Sequence, residues 1–226
     1  GCHIDPLVLD ENGVTIKATI GAVVGESYEF DGITFTVVDS LLLKTMILNN
    51  DNISVAVTSR ITNMANMFGN NTEFNQDISS WDVSNVINMQ SMFTECILFN
   101  QNINSWDVSN VTSMDFMFTN CASFNQPLNE WDVSNITNMS FMFFSGFTQN
   151  QSLIDELELP YLTSNWNIEN WNVSSVTTMA NMLENHPTFN LDLSSWDVSN
   201  VTDCSYFSTN ATAWTEPKPN FTNCTE

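Results

Sequence analysis

One sentence of sequence is written nearly three times between Trp81 and Phe143. It reads Trp81-Asp82-Val83-Ser84-Asn85-Val86, then Trp106-Asp107-Val108-Ser109-Asn110-Val111, then Trp131-Asp132-Val133-Ser134-Asn135-Ile136, each start 25 residues after the last. Self-similarity at a fixed period of roughly 20 to 50 residues is the signature of a solenoid or array, because one short unit cannot bury its apolar face alone and stacked neighbours can. A second phrase follows at constant offset: Met89, Met92 and Phe93; Met114, Met117 and Phe118; Met139, Met142 and Phe143. The spacing i, i+3, i+4 is one face of a helical turn, so a short helix or 3₁₀ segment is expected there. A third phrase, Phe74-Asn75-Gln76-Asp77-Ile78 and its copies at Phe99 and Phe124, leads into the next Trp. It predicts a short strand around Asp77 to Trp81. The expected fold is an α/β-type repeat solenoid with one short strand and one helical turn per coil.

The pattern divides the chain into residues 1–53 as an N-terminal cap, 54–207 as about six coils, and 208–226 as a C-terminal cap. In the first part Val14 to Thr19 and Tyr28 to Val38 alternate apolar and polar residues, and Asp31-Gly32 is a hairpin turn signal. Asp39 or Ser40 then caps a helix over Leu41 to Leu48, stopped by Asn49-Asn50-Asp51-Asn52. This cap is expected to shield the first coil. That coil is degenerate, keeping Ile61, Met64, Met67 and Phe68 but placing Ala56 where Trp belongs. From Trp131 to Trp171 is 40 residues, so one coil carries an insertion within 145–165. Insertions in repeat arrays map to loops on one face, often the binding face. This one offers Leu153, Asp155, Glu156, Glu158 and Tyr161 as candidate contacts. The last coil places Cys204 and Phe207 where the Met pair stands, and Pro217 and Pro219 disfavour further pairing.

The sentence Phe-Asn-Gln-x-Ile-x-x-Trp-Asp-Val-Ser-Asn-Val-x-x-Met-x-x-Met-Phe resembles the BspA-like leucine-rich-repeat surface proteins, abundant in Bacteroidetes and found in mycoplasmas and some protists. The resemblance covers residues from about 54 to 207, and the flanks at Leu9 to Lys17 and Trp214 to Phe221 look like end segments of marine flavobacterial members. It implies a right-handed solenoid and a non-catalytic, extracellular or cell-surface protein for adhesion, with surface proteins, glycans or cells as partners. It names no ligand. A rival reading is a self-assembling subunit of an extracellular filament, since a solenoid's ends are nearly copies of its own interior and head-to-tail contacts make open filaments.

Charge and chemistry narrow the field. A formal net charge of -22, from 26 acidic and 4 basic residues, repels phosphate backbones, so nucleic acid is excluded as a partner. No run reaches the roughly 18 apolar residues of a membrane span. Gly1-Cys2 resembles the end of a lipobox, making Cys2 the residue for a lipid anchor; Gly1 departs from a processed lipoprotein, and the other reading pairs Cys2 with a second chain. Cys204 and Cys224 suit a terminal disulfide. Cys96 and Cys121, in register on adjacent coils, read as buried thiols or an inter-coil disulfide.

Asp82, Asp107 and Asp132 recur at one position. Stacked carboxylates about 5 Å apart offer a calcium row; the competing reading has each stapling its own turn. No cofactor is otherwise expected. Trp166 and Trp214 lie off the regular row, where exposed aromatics would suit a sugar. Eleven Asn-x-Ser/Thr sequons occur, four of them, Asn110, Asn135, Asn172 and Asn200, generated by the repeat itself. Two histidines, His3 and His186, one arginine and no nucleophile elbow, phosphate loop or zinc spacing argue against an enzyme.

Overall fold

The computed structural model describes residues 4–146, 148–159 and 165–226. Its amino-terminal part builds two small sheets and a helix. Strands β1 (Leu7–Leu9) and β2 (Ile16–Ala18) pair antiparallel, and β3 (Ser27–Phe30), β4 (Ile33–Val37) and β5 (Ala56–Val57) form a second sheet in that order. The β3–β4 turn falls on Asp31 and Gly32, both at positive φ (49° and 78°), which matches the twist of the flanking strands. Helix α1 (Ser40–Leu48) starts where the Asp39 carboxylate accepts the Leu42 amide at 2.8 Å. Leu43 is buried and Leu42, Met46 and Ile47 pack on the core of the repeats, so α1 covers the first coil.

The β1–β2 pair does something else. The Ile16 amide donates to the Ser80 carbonyl at 2.9 Å, Ala18 N donates to Ser59 Oγ at 2.9 Å, and Asn12 Nδ2 donates to the Ser105 carbonyl at 3.2 Å. The expected end cap therefore includes an arm along the flank of the repeats as far as Ser105, because the β2 amides are satisfied by a carbonyl and a hydroxyl of the coils.

From residue 58 onward the chain stacks six coils, numbered here by their Met pairs from Met64/Met67 to Cys204/Phe207. Three aromatic columns run through them. Trp81 faces Trp106 at 6.4 Å between ring centroids, Trp131 faces Trp171 at 6.4 Å, and Trp171 faces Trp196 at 6.3 Å. Phe68, Phe93, Phe118 and Phe143 follow one another at 5.5 to 5.6 Å, and Phe74, Phe99 and Phe124 at 5.6 and 5.7 Å. Each buried indole donates Nε1–H to a carbonyl one coil back: Trp106 to Ile78 at 3.1 Å, Trp131 to Ile103 at 3.0 Å. The columns thus carry their own hydrogen bonds inside an apolar core, as buried indoles require.

The local conformation differs from the sequence expectation. Asp77 to Trp81 is turn rather than strand, and the Met phrase is not helical. It is two consecutive turns, closed by Met92 N to Met89 O at 3.2 Å and Cys96 N to Phe93 O at 3.0 Å, whose third residues Ser91 and Glu95 have φ of 54° and 60°. Left-handed residues at this spacing return the chain inward at i, i+3 and i+4 without a helix. The coil-to-coil ladder lies along this same phrase. Met89, Ser91, Phe93 and Glu95 donate their amides to the carbonyls of Ser113, Asp115, Met117 and Thr119 at 2.9 to 3.0 Å, and the pattern repeats at all five junctions.

At the far end Trp214 donates Nε1–H to the Leu191 carbonyl and the Leu193 amide donates to the Pro217 carbonyl, both at 2.9 Å, so the terminal segment begins as another coil. The Cys204–Cys224 disulfide, with Cα atoms 5.8 Å apart, closes it onto the last coil.

Candidate interaction surface

The side chains that recur in the repeat are largely consumed by the stack. Asp82 accepts Ser84 N at 3.1 Å and Ser84 Oγ at 2.6 Å, Asp107 does the same with Ser109 at 3.1 and 2.6 Å, and Asp132 accepts Ser134 N at 3.0 Å. Each carboxylate staples its own turn, and Asp82 is buried. Among the described residues no group of three His, Cys, Asp or Glu is placed to hold a metal ion. Asn75 Oδ1 accepts Asn100 N and Gln101 Nε2, both at 2.9 Å, so the Asn column staples one coil to the next. The sequon residues Asn110, Asn135 and Asn200 are likewise committed, each donating Nδ2–H to a serine carbonyl one coil back at 2.7 Å.

Trp166 and Trp214 are not surface aromatics. Trp166 is fully buried and stacks on Phe143 at 4.0 Å, as Phe124 stacks on Phe118 at 4.3 Å; Trp214 is 8% exposed. The idea that they stack on a sugar is corrected by this burial: they continue the inner Phe column. Cys96 and Cys121 are free buried thiols that donate to the carbonyls of Phe68 and Phe93 at 3.2 and 2.9 Å. His186 occupies their register two coils on. Its Nε2–H is bonded to the Phe143 carbonyl while Nδ1 has no partner, and burial lowers its pKa to about 4.

What remains outward is the surface of the ladder phrase. The residue before the second Met of each coil is left-handed: Asn66, Ser91, Phe116, Phe141, Asn181 and Tyr206, with φ from 54° to 60°. Asn tolerates that region; a bulky aromatic there is strained by about 1 to 3 kcal/mol. Phe116 and Phe141 nevertheless stand at 60° and 56°, stacked at 4.6 Å with rings 6° from parallel, and Phe144 meets Phe141 edge-on at 5.4 Å. A Cβ on Gly146 would fall 2.3 Å from the Phe144 ring, so glycine lets that ring lie flat over the chain.

The insertion leaves from this patch and folds back over earlier coils. Glu95 holds it. One carboxylate oxygen accepts Asn120 Nδ2 at 2.7 Å; the other accepts Thr148 Oγ1 and, at 3.0 Å, Asn150 Nδ2. Helix α2 (Gln151–Glu156) then buries Ile154 against Ile97 and Ala122, with Leu153 and Leu159 partly covered beside it. Of the proposed contact residues, Leu153 is therefore mostly packing. Asp155, Glu156 and Glu158 are exposed, Asp155 accepting Gln151 Nε2 at 2.9 Å. Tyr161 lies outside the described residues, as does Cys2. Glu95, Phe116 and Phe141 were not singled out from the sequence. The signal for Glu95 was there: Asn70, Asn120, Asn185 and Asn210 share one register, which Glu95 and Ser145 break.

Residues 38–156 and 161–225 match a family described as "Mycoplasma protein of unknown function, DUF285", which covers more than half of the chain. No curated protein and no solved structure matches it.

Proposed function

The chain belongs to the DUF285 family, and from that premise we propose that it is a right-handed, BspA-like solenoid acting as a non-catalytic interaction protein at the outer cell surface. The contact face is the outward side of the ladder phrase at Phe116, Phe141 and Phe144, together with the acidic outer side of α2. One observation carries this reading. Three coils place an aromatic residue, Phe116, Phe141 and Tyr206, at the left-handed position where the other three place Asn or Ser, a choice that costs folding stability and that core packing does not require, and Phe116 and Phe141 are stacked on each other. Stacked, half-buried rings rimmed by polar groups are the composition of a contact patch for another macromolecule. The partners are surface proteins, glycans or other cells. The carboxylates of Asp155, Glu156 and Glu158 disfavour anionic ones.

The test is to replace Phe116 and Phe141 together by Asn, the residue of coils one and five, and to probe immobilised extracellular proteins and glycans. Binding should fall by about tenfold or more while the melting temperature holds or rises, since Asn relieves the backbone strain. Unaltered binding by a folded double variant would move the contact face elsewhere.

A further inference from the structure

The ladder has one polarity, and at its open end Met67 and Gly69 line a groove. At every junction the amides at four alternate positions point toward the following coil; in the first coil they belong to Met64, Asn66, Phe68 and Asn70, bonded to Asn88, Gln90, Met92 and Thr94 at 2.8 to 3.0 Å. No peptide is cis. In a trans peptide the carbonyl points opposite to the amide of the same unit. The carbonyls of Asn63, Ala65, Met67 and Gly69 therefore point away from the second coil, toward the end of the stack. Their counterparts in the other five coils each accept an amide, and these four accept none.

Helix α1 lies over the core at that end without closing the edge. Between its last turn and the first coil is a groove of about 540 Å³ lined by Lys44, Ile47, Leu48, Met67, Gly69 and Asn70. Leu48 is 86% exposed on its wall, a position that does nothing for the fold. Lys44, one of only four basic residues in the chain, supplies its cation.

We propose that this groove is a ladder-addition site for a peptide that carries an acidic side chain and takes the two-turn conformation of the Met phrase. Four aligned acceptors fix what the ligand must offer, because five internal junctions display the complement: N–H groups on alternate residues of a parallel segment. Main-chain bonds of this kind give affinity, and a flanking apolar wall gives side-chain selection. Lys44, the one cation in the groove lining, gives a local contact for a single acidic side chain of the ligand. A second molecule joined like end to like end is disfavoured, since the carbonyl edge has only acceptors to offer. The site is independent of the aromatic patch.

The probe is an acetylated, amidated peptide copying Thr178 to Asn185, a segment that delivers such amides within the fold and carries Glu184. Titration followed by NMR should perturb residues 44–48 and 63–71. N-methylation at Met179 and Leu183 should weaken binding by about tenfold or more, whereas N-methylation at Ala180 should have little effect. Leu48→Asp and Lys44→Glu in the protein should each weaken it, with the fold checked by circular dichroism. Absence of binding at millimolar peptide, or binding indifferent to N-methylation or to Leu48→Asp, overturns the proposal. So does concentration-dependent association of the free protein that Leu48→Asp abolishes, because the occupant would then be a second copy.

Discussion

The indole of Trp106 reaches back one coil to donate its Nε1–H to the carbonyl of Ile78 at 3.1 Å, with both residues fully or almost fully buried. Two effects are joined in that contact and two substitutions separate them. Trp106→Ala removes a packed ring and the bond and should cost about 3 to 5 kcal/mol. Trp106→Phe keeps most of the apolar volume and removes the indole bond, leaving the Ile78 carbonyl with the Trp81 amide at 3.2 Å, for about 0.5 to 1.5 kcal/mol. Urea unfolding of both variants gives the two values; a Trp106→Phe loss near zero would mean that the hydrogen bond contributes nothing beyond packing, and equal losses would mean that the ring's packing adds nothing to the bond.

His186 makes stability depend on pH. Its folded pKa of about 4 lies below the ordinary 6.5, so between those values the unfolded chain binds the extra proton and the folded chain does not. The contribution of neutral His186 is complete above about pH 6.5 and is lost as pH falls toward 4, by roughly 3 kcal/mol over that window. His186→Cys, which places there the residue of coils two and three, should keep a donor for the Phe143 carbonyl and flatten this slope. An undiminished slope in the variant would assign the acid sensitivity to other groups.

Glu95 is the latch of the insertion. Glu95→Ala should release Thr148 and Asn150, expose the 148–159 segment to limited proteolysis, and leave the melting of the coil stack nearly unchanged. Intact resistance to protease would mean that Ile154, packed on Ile97 and Ala122, holds the segment alone.

The thiols divide by burial. The pKa of Cys96 and of Cys121 is pushed well up by loss of water, so neither should alkylate in the native protein at neutral pH. Both should react at once in denaturant. Reduction of Cys204–Cys224 closes no such question but loosens the terminal segment, for a loss of about 3 kcal/mol from a 20-residue loop, read as a lower melting temperature.

Legibility from sequence followed the side chain more closely than the backbone. The 25-residue spacing of Trp81, Trp106 and Trp131 points to the stacked columns, and Asp39 and Asp31-Gly32 announce α1 and its preceding turn, because each of these signals acts through local chemistry. The Met phrase misleads. Its 3 and 4 spacing arises from two left-handed turns, which hydrophobic periodicity alone does not separate from a helix. Asn66 and Asn181, Asn70 and Asn185 carry the missing information, as residues that accept positive φ at little cost. Trp166 was misplaced because it enters the inner column from a different offset after the insertion, and offsets are all that a periodic reading has. The flank-running arm and the back-folded insertion depend on contacts across 93 and 53 residues, Asn12 with Ser105 and Thr148 with Glu95, and no local pattern encodes partners that distant.

The one-way ladder has a further bearing on how such a chain changes length. Every junction presents the same four amides to the same four carbonyls, so a duplicated or deleted block of 25 residues leaves both termini of the array chemically as they were. Gene-level gain or loss of whole blocks then alters reach without redesigning either end. The lineage is free to vary coil number as a single parameter, while the β1–β2 arm, tied at Ser59, Ser80 and Ser105, sets a lower bound of three.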